Sequence, residues 1–456
     1  MFVIVLLFPL LFLACGEAEF KIYNEEEYEH RSKVRELSDN HWLLKAYFYH
    51  PERVRELEEY EGMEVDSMYE SLDDYFCGIH HVGFCGARYT FYLPPEESDG
   101  KIDQIQNTKK YYSFGFLRRE ILNGDESVDL IVSAVYPISP AFDAGLKRRD
   151  KLLSANGIPL TGLTKESANA YLKNDDLFEN PTVFTVLRDG KTIILDAMQK
   201  GEIPEPTVYL DSIEDIPYIG VSSYKRNTNN PNGTYAEFKT ALQEIKGAKA
   251  AIMDLRGNGG GDIDHCSAMA AELVPLNSVL VHDVQHRYDN KRGNVIDTTP
   301  DLARKYLYKE GDGVDIKWII WINNGSASCS ERFTAAVKYN RPETVVIGDT
   351  SYGKGIGQVY GKTYLGGLAY ITSILTFYPN GAPLHKVGII PDILTNPGDI
   401  NAMRDETIKA VQNFRGLAKR MPMPTISETF LPERPAESME PGAYKRIEMP
   451  LFHQWE

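Results

Sequence analysis

The sequence predicts a multidomain α+β protein, and three changes of pattern along the chain predict it. Residues 24 to 76 interleave charged and apolar side chains at helical spacing, as in "EEEYEHRSKVRELSDNHWLLKAYFYHPERVRELEEY". From about Tyr111 the pattern shortens to strands and turns, and from about Val208 strands alternate with helices. A chain of 456 residues is long enough for two or three domains with cores of their own.

Taken in order, the first element is "MFVIVLLFPLLFLACGE". Its apolar run ends at Ala14-Cys15. It is shorter than the roughly 20 residues that span a bilayer, so a secretory signal over residues 1–15 fits better than a membrane helix. Small residues flanking a lone cysteine after an apolar run resemble a bacterial lipoprotein signal, which implies lipid attachment at Cys15 and a place in the bacterial periplasm or at the outer membrane. Residues 16–107 form a helical N-terminal region. Within it, "CGIHHVGFC" brings Cys77, His80, His81 and Cys85 together. The cysteines could pair or bind metal with the histidines, but the spacing fits no zinc pattern, and a Gly-rich turn with two buried thiols is favoured. Four cysteines after Cys15 are too few for a disulfide framework in a chain of this size.

Residues 108–202 read as a β-rich domain, with strands in "YYSFGFLRRE", "SVDLIVSAVYP" and "FTVLRDGKTIIL". Residues 203–400 read as an α/β core. "YIGVSSY" is a strand; "TYAEFKTALQEIKG" is a helix with Thr234 as N-cap, Glu237 three residues on, and Phe238, Leu242 and Ile245 on one face. "AAIMDL" and a glycine turn complete a β-α-β unit, and "KWIIWI" with "TVVIG" repeats it. Residues 401–456 hold a C-terminal helix and a Pro-rich charged tail, "MPMPTISETFLPERPAESMEPGAY".

With 65 acidic against 49 basic residues the formal charge is −16, and no local basic patch offsets it, which argues against nucleic acid as a partner. The stretch "GDTSYGKG" nearly spells a phosphate-binding loop, yet Gly355 stands where the metal-binding hydroxyl belongs and a strand follows in place of a helix. Lys354 therefore needs another role. An amine drawn into an apolar site loses its preference for charge and becomes a usable general base, so a Ser–Lys pair needs no histidine.

Four blocks, "DLRGNGGG" (254–261), "NGSASCSE" (324–331), "GDTSYGKGIGQ" (348–358) and "YPNGAPLHKVGIIPDI" (378–393), resemble in order those of the C-terminal processing, or tail-specific, peptidases. "SPAFDAGLKRRDKLLSANGIPLTG" (139–162) resembles a PDZ domain of the bacterial protease type. The resemblance implies a crotonase-like α/β protease core, Ser328 as nucleophile, Lys354 as general base and Gln358 as the residue that orients the lysine. It implies an oxyanion hole from the N–H groups of Cys329 and Gly260, in a loop where Gly259 stands in place of the family's proline. It also implies that "SFGF", with Phe114, Gly115 and Phe116, binds the C-terminus of a protein or peptide at an open sheet edge. No cofactor and no metal is implied.

The residues agree with these roles. Ser328 follows a buried strand and precedes a helix whose first N–H groups lack intrahelical acceptors. Ser326 and Ser330 read as turn and N-cap residues. Cys329 is the rival nucleophile; its position turns its side chain away from Ser328, and a packed small residue is favoured. His265, His282, His286 and His385 read as surface or packing residues, Asp254 and Arg256 as an ion pair that shapes the oxyanion loop, and Asp392 as a turn residue. The expected function is a serine endopeptidase. Two other readings are a lipoprotein that binds peptides with a degenerate core, and an acyl-CoA enzyme, which needs neither Lys354 nor a PDZ domain.

Overall fold

The computed structural model describes residues 25–72, 75–76, 87–124, 127–173 and 181–412. Cys15, the Cys77–Cys85 cluster and the Pro-rich tail lie outside the described residues. The N-terminal region contains α1 (Glu25–Tyr47), α2 (Val65–Glu70), β1 (Tyr75–Phe76), β2 (Ala87–Arg88), β3 (Phe91–Leu93) and α3 (Pro95–Gln106). The β-rich region follows as β4 (Lys110–Ser113), β5 (Phe116–Leu122), β6 (Val128–Val135), α4 (Pro140–Asp143), β7 (Lys151–Ala155), β8 (Ile158–Pro159), α5 (Lys165–Lys173), β9 (Phe184–Arg188), β10 (Lys191–Ile194) and β11 (Gly201–Pro204). The rest comprises β12 (Val208–Ile213), β13 (Ile216–Val221), α6 (Gly233–Glu244), β14 (Ala250–Asp254), α7 (Ile263–Ala271), β15 (Val279–Asp289), β16 (Gly293–Leu302), β17 (Lys317–Ile322), α8 (Cys329–Asn340), β18 (Val345–Gly348), β19 (Ile356–Lys362), β20 (Leu368–Phe377), β21 (Ile393–Leu394) and α9 (Ile400–Gln412).

The main sheet runs β12-β13-β14-β17-β18-β21, parallel from β13 onward. Its central strands read as unbroken apolar runs because both faces are covered. On one face Phe238 of α6, Met269 of α7 and Phe333 of α8 share a buried cluster with Ile320 and Ile322. On the other, Met403 and Ala410 of α9 pack with Ile319, Trp321 and Ile347. The fully buried Trp321 donates its indole N–H to Thr407 Oγ1 at 2.9 Å, which satisfies the one polar atom of that side chain.

A second sheet, β16-β15-β20-β19, is extended by β3 pairing with β20. The N-terminal helices close over it: Leu44, Phe48, Tyr60 and Met68 pack with Val359, Ala369 and Ile371. Glu36 is buried in this contact and accepts from Thr363 Oγ1, from Leu365 N at 2.7 Å and from Tyr92 Oη at 3.1 Å.

The β-rich region has its own sheet, β10-β9-β7-β6-β5 with β8 on β7, and its own core around Leu130, Leu152, Phe184 and Val186. β5 ends the sheet as an edge strand. Ser139 caps α4, its Oγ accepting from Phe142 N at 3.2 Å. The chain enters and leaves through the paired β4 and β11. Side-chain contacts among the described residues bind the region to the main sheet's side of the molecule. Asn229 clamps the Ile138 backbone at both N–H and C=O, each at 2.8 Å, and Arg148 reaches Asp211 at 3.2 Å.

One expected cap is corrected. Asn232, not Thr234, occupies the N-cap of α6. Thr234 Oγ1 instead accepts from Lys225 N at 2.8 Å, and Glu237 accepts from Thr207 N at 2.7 Å and Val208 N at 3.1 Å, so Glu237 staples the start of β12 to the helix. Phe238, Leu242 and Ile245 are buried on one face as the spacing predicted.

Candidate active site

Ser328 lies in the turn between β17 and α8, at the N-cap of the helix, with φ 55° and ψ −111°. A residue with a Cβ is strained in that conformation by about 1–3 kcal/mol, and such strain persists only where the surroundings over-determine it. The surroundings here are hydrogen bonds. Ser328 N donates to Glu331 at 2.8 Å, Ser326 Oγ donates to Leu255 O at 2.7 Å, and Ser330 Oγ donates to Asn258 O at 2.8 Å. Ser326 is thus a turn residue as expected. Ser330 is corrected: it is the second residue of α8 and fastens the helix to the glycine loop.

Lys354 is carried on the segment between β18 and β19 and is almost fully buried. Its Nζ lies 3.4 Å from Gln358 Oε1 and 4.4 Å from the centre of the Tyr89 ring. Gln358 is held in turn through Thr372 Oγ1 at 3.3 Å, and Thr372 Oγ1 donates to Tyr89 O at 3.2 Å. The glycine after the lysine is required by close approach, since a Cβ at Gly355 would sit 2.3 Å from His385 N. His385 therefore backs the lysine loop, and desolvation followed by the charges of Lys386 and Lys354 pushes it down to about 3.

Glu331 joins the two segments. Its Oε2 accepts from Ser328 N and Lys354 N, both at 2.8 Å, so the two backbone nitrogens lie within twice that distance of each other. Its Oε1 accepts from Gly353 N at 2.6 Å and from Ser351 Oγ. Burial pushes the carboxyl up to about 7, while these four donors pull it down. Sequence reasoning did not single out Glu331. The S-x-x-E spacing of a capping box, Ser328 to Glu331, was the available signal.

The glycine loop faces the same turn. Ala327 N donates to Asn258 O at 3.0 Å and Gly257 N to Asn323 Oδ1 at 2.8 Å. Gly261 has φ 147°, and a Cβ there would lie 2.0 Å from Tyr224 O, so no other residue fits. The Gly260 N–H donates to Asn258 Oδ1 at 2.9 Å, so this donor is committed within its own loop. Asp254 and Arg256 form the expected pair, with Nη2 to Oδ2 at 2.7 Å, and Arg256 also stacks 4.8 Å over Trp321.

Cys329 is not a free thiol. Its sulfur bonds that of Cys266 in α7, with S–S 2.18 Å and Cα–Cα 5.7 Å. A sulfur in a disulfide has no thiolate to offer, which removes Cys329 as a rival nucleophile in this state. No motif or spacing in the chain signals this pairing, whose cysteines stand 63 positions apart.

His265 Nδ1 accepts from Tyr235 N at 3.1 Å, His282 Nε2 lies 3.1 Å from Pro379 O, and His286 is buried. Among the described residues no group of three or more His, Cys, Asp or Glu side chains is placed to hold a metal ion. Asp392 does more than form a turn: it accepts from Val346 N at 2.7 Å and pairs with Lys338 at 2.8 Å. In the β-rich region Phe114 and Phe116 both meet Phe184 edge-on, at 5.5 and 5.9 Å. Gly115 has φ 81°, beside the edge strand β5.

Residues 215–395 match peptidase family S41. The chain is similar to carboxy-terminal processing protease CtpB of Bacillus subtilis, 28% identical over 318 residues, covering 68% of this chain and 60% of that protein. It is also similar to CtpA of the same organism, 26% identical over 332 residues, covering 72% and 62%. A probable CtpA-like serine protease of Staphylococcus saprophyticus is 27% identical over 264 residues, covering 56% and 48%. The chain thus spans about half to three-fifths of the length of these relatives. A solved photosystem II D1 C-terminal processing protease superposes with a TM-score of 0.45 at 17% identity, covering 82% of this chain and 97% of that one. The four sequence blocks, residues 254–261, 324–331, 348–358 and 378–393, all fall within the stretch that matches peptidase family S41.

Proposed function

We propose that this chain is a serine endopeptidase in which Ser328 is the nucleophile and Lys354 the general base. The observation that carries the reading is the Glu331 carboxylate oxygen that accepts both the Ser328 and the Lys354 N–H, since it couples two segments whose side chains must meet. In this reading Ser328 Oγ attacks the scissile carbonyl and gives its proton to neutral Lys354 Nζ. Gln358 Oε1 and the Tyr89 ring hold the ammonium that forms. The oxyanion accepts from the Cys329 N–H and from the Gly260 N–H, the latter exchanging Asn258 Oδ1 for the substrate oxygen. Lys354 then protonates the leaving amine, and water releases the acyl group by the same steps in reverse. No cofactor takes part.

Residues 203–400 are read as a crotonase-like core and 108–202 as a PDZ-like domain that recruits protein C-termini. The edge strand β5 supports the second assignment, as does the Lys165–Glu120 ion pair at 3.1 Å, which sets the start of α5 beside that strand. Export through the segment 1–15, with lipid at Cys15 and residence in the periplasm or at the outer membrane, is supported by the internal disulfide, a bond that persists in oxidising compartments. A fluorophosphonate probe followed by peptide mapping tests the nucleophile. Labelling of Ser328 is expected; an unlabelled folded protein that still binds peptides would leave the degenerate-core lipoprotein instead.

A further inference from the structure

We propose that the Cys266–Cys329 disulfide is a positioning cross-link that sets the spacing between the two oxyanion donors. The inference rests on the reading of Ser328 as nucleophile with Cys329 and Gly260 as donors. Cys329 is the first residue of α8, and its own N–H is one of those donors. Cys266 lies in the opening turns of α7, the helix that begins directly after the glycine loop and Asp262. Its N–H donates to Asp262 O at 3.2 Å, so the bond reaches the loop through a single helical turn.

The loop needs such an anchor. Gly257, Gly260 and Gly261 all have positive φ, and a run of glycines has neither side chains to pack nor a narrow backbone preference to hold it. The loop's other described ties are hydrogen bonds: to the nucleophile turn from Ala327 N and Ser330 Oγ to Asn258 O, from Ser326 Oγ to Leu255 O and from Gly257 N to Asn323 Oδ1, and to the end of β13 from Asn258 Nδ2 to Val221 O and from Tyr224 N to Gly260 O. The Gly260 N–H must change partner during the reaction, and loosening at that moment costs alignment. A covalent bond between the two helix starts does not exchange. Both cysteines are buried, at 0% and 1% exposure, so the bond is a fixed part of the folded site rather than a surface thiol pair.

Formation balances as a thiol–disulfide exchange. The thiolate of one cysteine attacks a small-molecule or enzyme disulfide, one thiol leaves, and the second cysteine displaces the other thiol from the mixed disulfide. Two electrons and two protons pass to the exchanging disulfide. Because both sulfurs are buried, the exchange precedes final closure of α8.

The test uses the full chain and a peptide substrate, with fluorophosphonate labelling of Ser328 measured alongside kcat and KM, and circular dichroism to establish that each species is folded. Reduction with a trialkylphosphine in urea followed by refolding under reductant, verified by mass as two new thiols, is expected to lower kcat between about 10- and 100-fold, the range for a displaced oxyanion donor, with KM unchanged. Refolding from urea with oxidised and reduced glutathione restores it. Cys266→Ala, Cys329→Ala and the double variant are expected to fall by one common factor and to ignore reductant, because each removes the same bond. A reduced, folded wild type that labels at Ser328 and keeps its kcat overturns the cross-link and leaves the nucleophile standing. Additive losses in the three variants, or a loss carried by KM, overturn it equally. A protein that hydrolyses peptide but never labels at Ser328 overturns the parent reading, and the cross-link role with it.

Discussion

Ser328 donates its backbone N–H to the Glu331 carboxylate at 2.8 Å, across the first turn of the helix that Ser328 caps. That bond holds a residue whose backbone would otherwise relax, and the same carboxylate oxygen takes the Lys354 N–H. Glu331→Gln removes two acceptor positions and turns an amide N–H₂ toward groups that only donate. The expected result is a folded but less stable protein with kcat lowered by at least about tenfold. The pH dependence has a definite sign. Burial raises the Glu331 carboxyl from 4.5 to about 7, so the folded state holds the proton where the unfolded chain has lost it. The contribution to stability is complete below 4.5 and is lost as pH rises through about 7. Thermal melts from about pH 5 to about pH 8 should show a fall in wild type that is smaller in Glu331→Gln; parallel curves would show that the four donors keep the carboxylate ionised throughout.

Replacing Ser328 separates chemistry from strain. Ser328→Ala and Ser328→Gly both lose the hydroxyl and are expected to be inactive. The glycine variant should be the more stable of the two by about 1 kcal/mol, because its backbone adopts positive φ without a Cβ penalty. Denaturant midpoints at equal slope measure this, and residual hydrolysis by both variants would remove Ser328 from the role of nucleophile.

Lys354→Arg is expected to be as inactive as Lys354→Ala, since a guanidinium does not lose its proton near neutral pH. In wild type, kcat/KM should rise with pH as the amine becomes neutral. His385, although it backs the lysine loop, is pushed down to about 3 and stays neutral across the assay range, so His385→Gln should leave the position of the rise unchanged. Full activity of Lys354→Arg would point to a different base.

Arg332 is the charged anchor of the same helix. Its guanidinium grips Asp283 at 2.7 and 3.0 Å, Asp301 at 2.5 Å and Ser267 Oγ at 2.9 Å. The two aspartates belong to β15 and β16, so the network ties α8 to the second sheet. Arg332→Leu leaves two carboxylates without their cation and is expected to cost about 3–5 kcal/mol in urea unfolding. A loss under about 1 kcal/mol would mean that water reaches the aspartates and the pair is worth no more than a surface bridge.

The tail-reading role proposed for the β-rich region makes the chemistry of a substrate's end matter. Amidating the C-terminus of a good peptide substrate should raise KM, because the carboxylate would lose the N–H groups of residues 113 to 116. Cleavage of free-acid and amidated peptides with equal KM would sink tail reading without touching the Ser–Lys chemistry.

Local pattern determined much of this protein. The apolar runs "AAIMDL" and "KWIIWI" announced strands covered on both faces, and the 3.6-residue spacing of Phe238, Leu242 and Ile245 fixed the buried side of a helix, whereas Ser328 and Lys354 are proposed from the resemblance of "NGSASCSE" and "GDTSYGKG" to blocks of the tail-specific peptidases. Such features are legible because a strand or helix repeats its environment at a fixed period and a tight turn restricts residue type where it occurs. What only the tertiary structure decided is which distant groups share one atom or one bond. Glu331 gathers N–H groups from residues 22 and 23 positions further on, and Cys266 meets Cys329 across a separation of 63. Thr234 and Glu237 have the spacing of a cap yet spend their oxygens elsewhere, Thr234 on Lys225 N at 2.8 Å and Glu237 on the start of β12, where Thr207 N and Val208 N donate at 2.7 and 3.1 Å, because packing brought those donors alongside the helix. No period in the chain encodes such meetings: they follow from how sheets and helices pack, and a buried polar atom takes whichever partner that packing delivers.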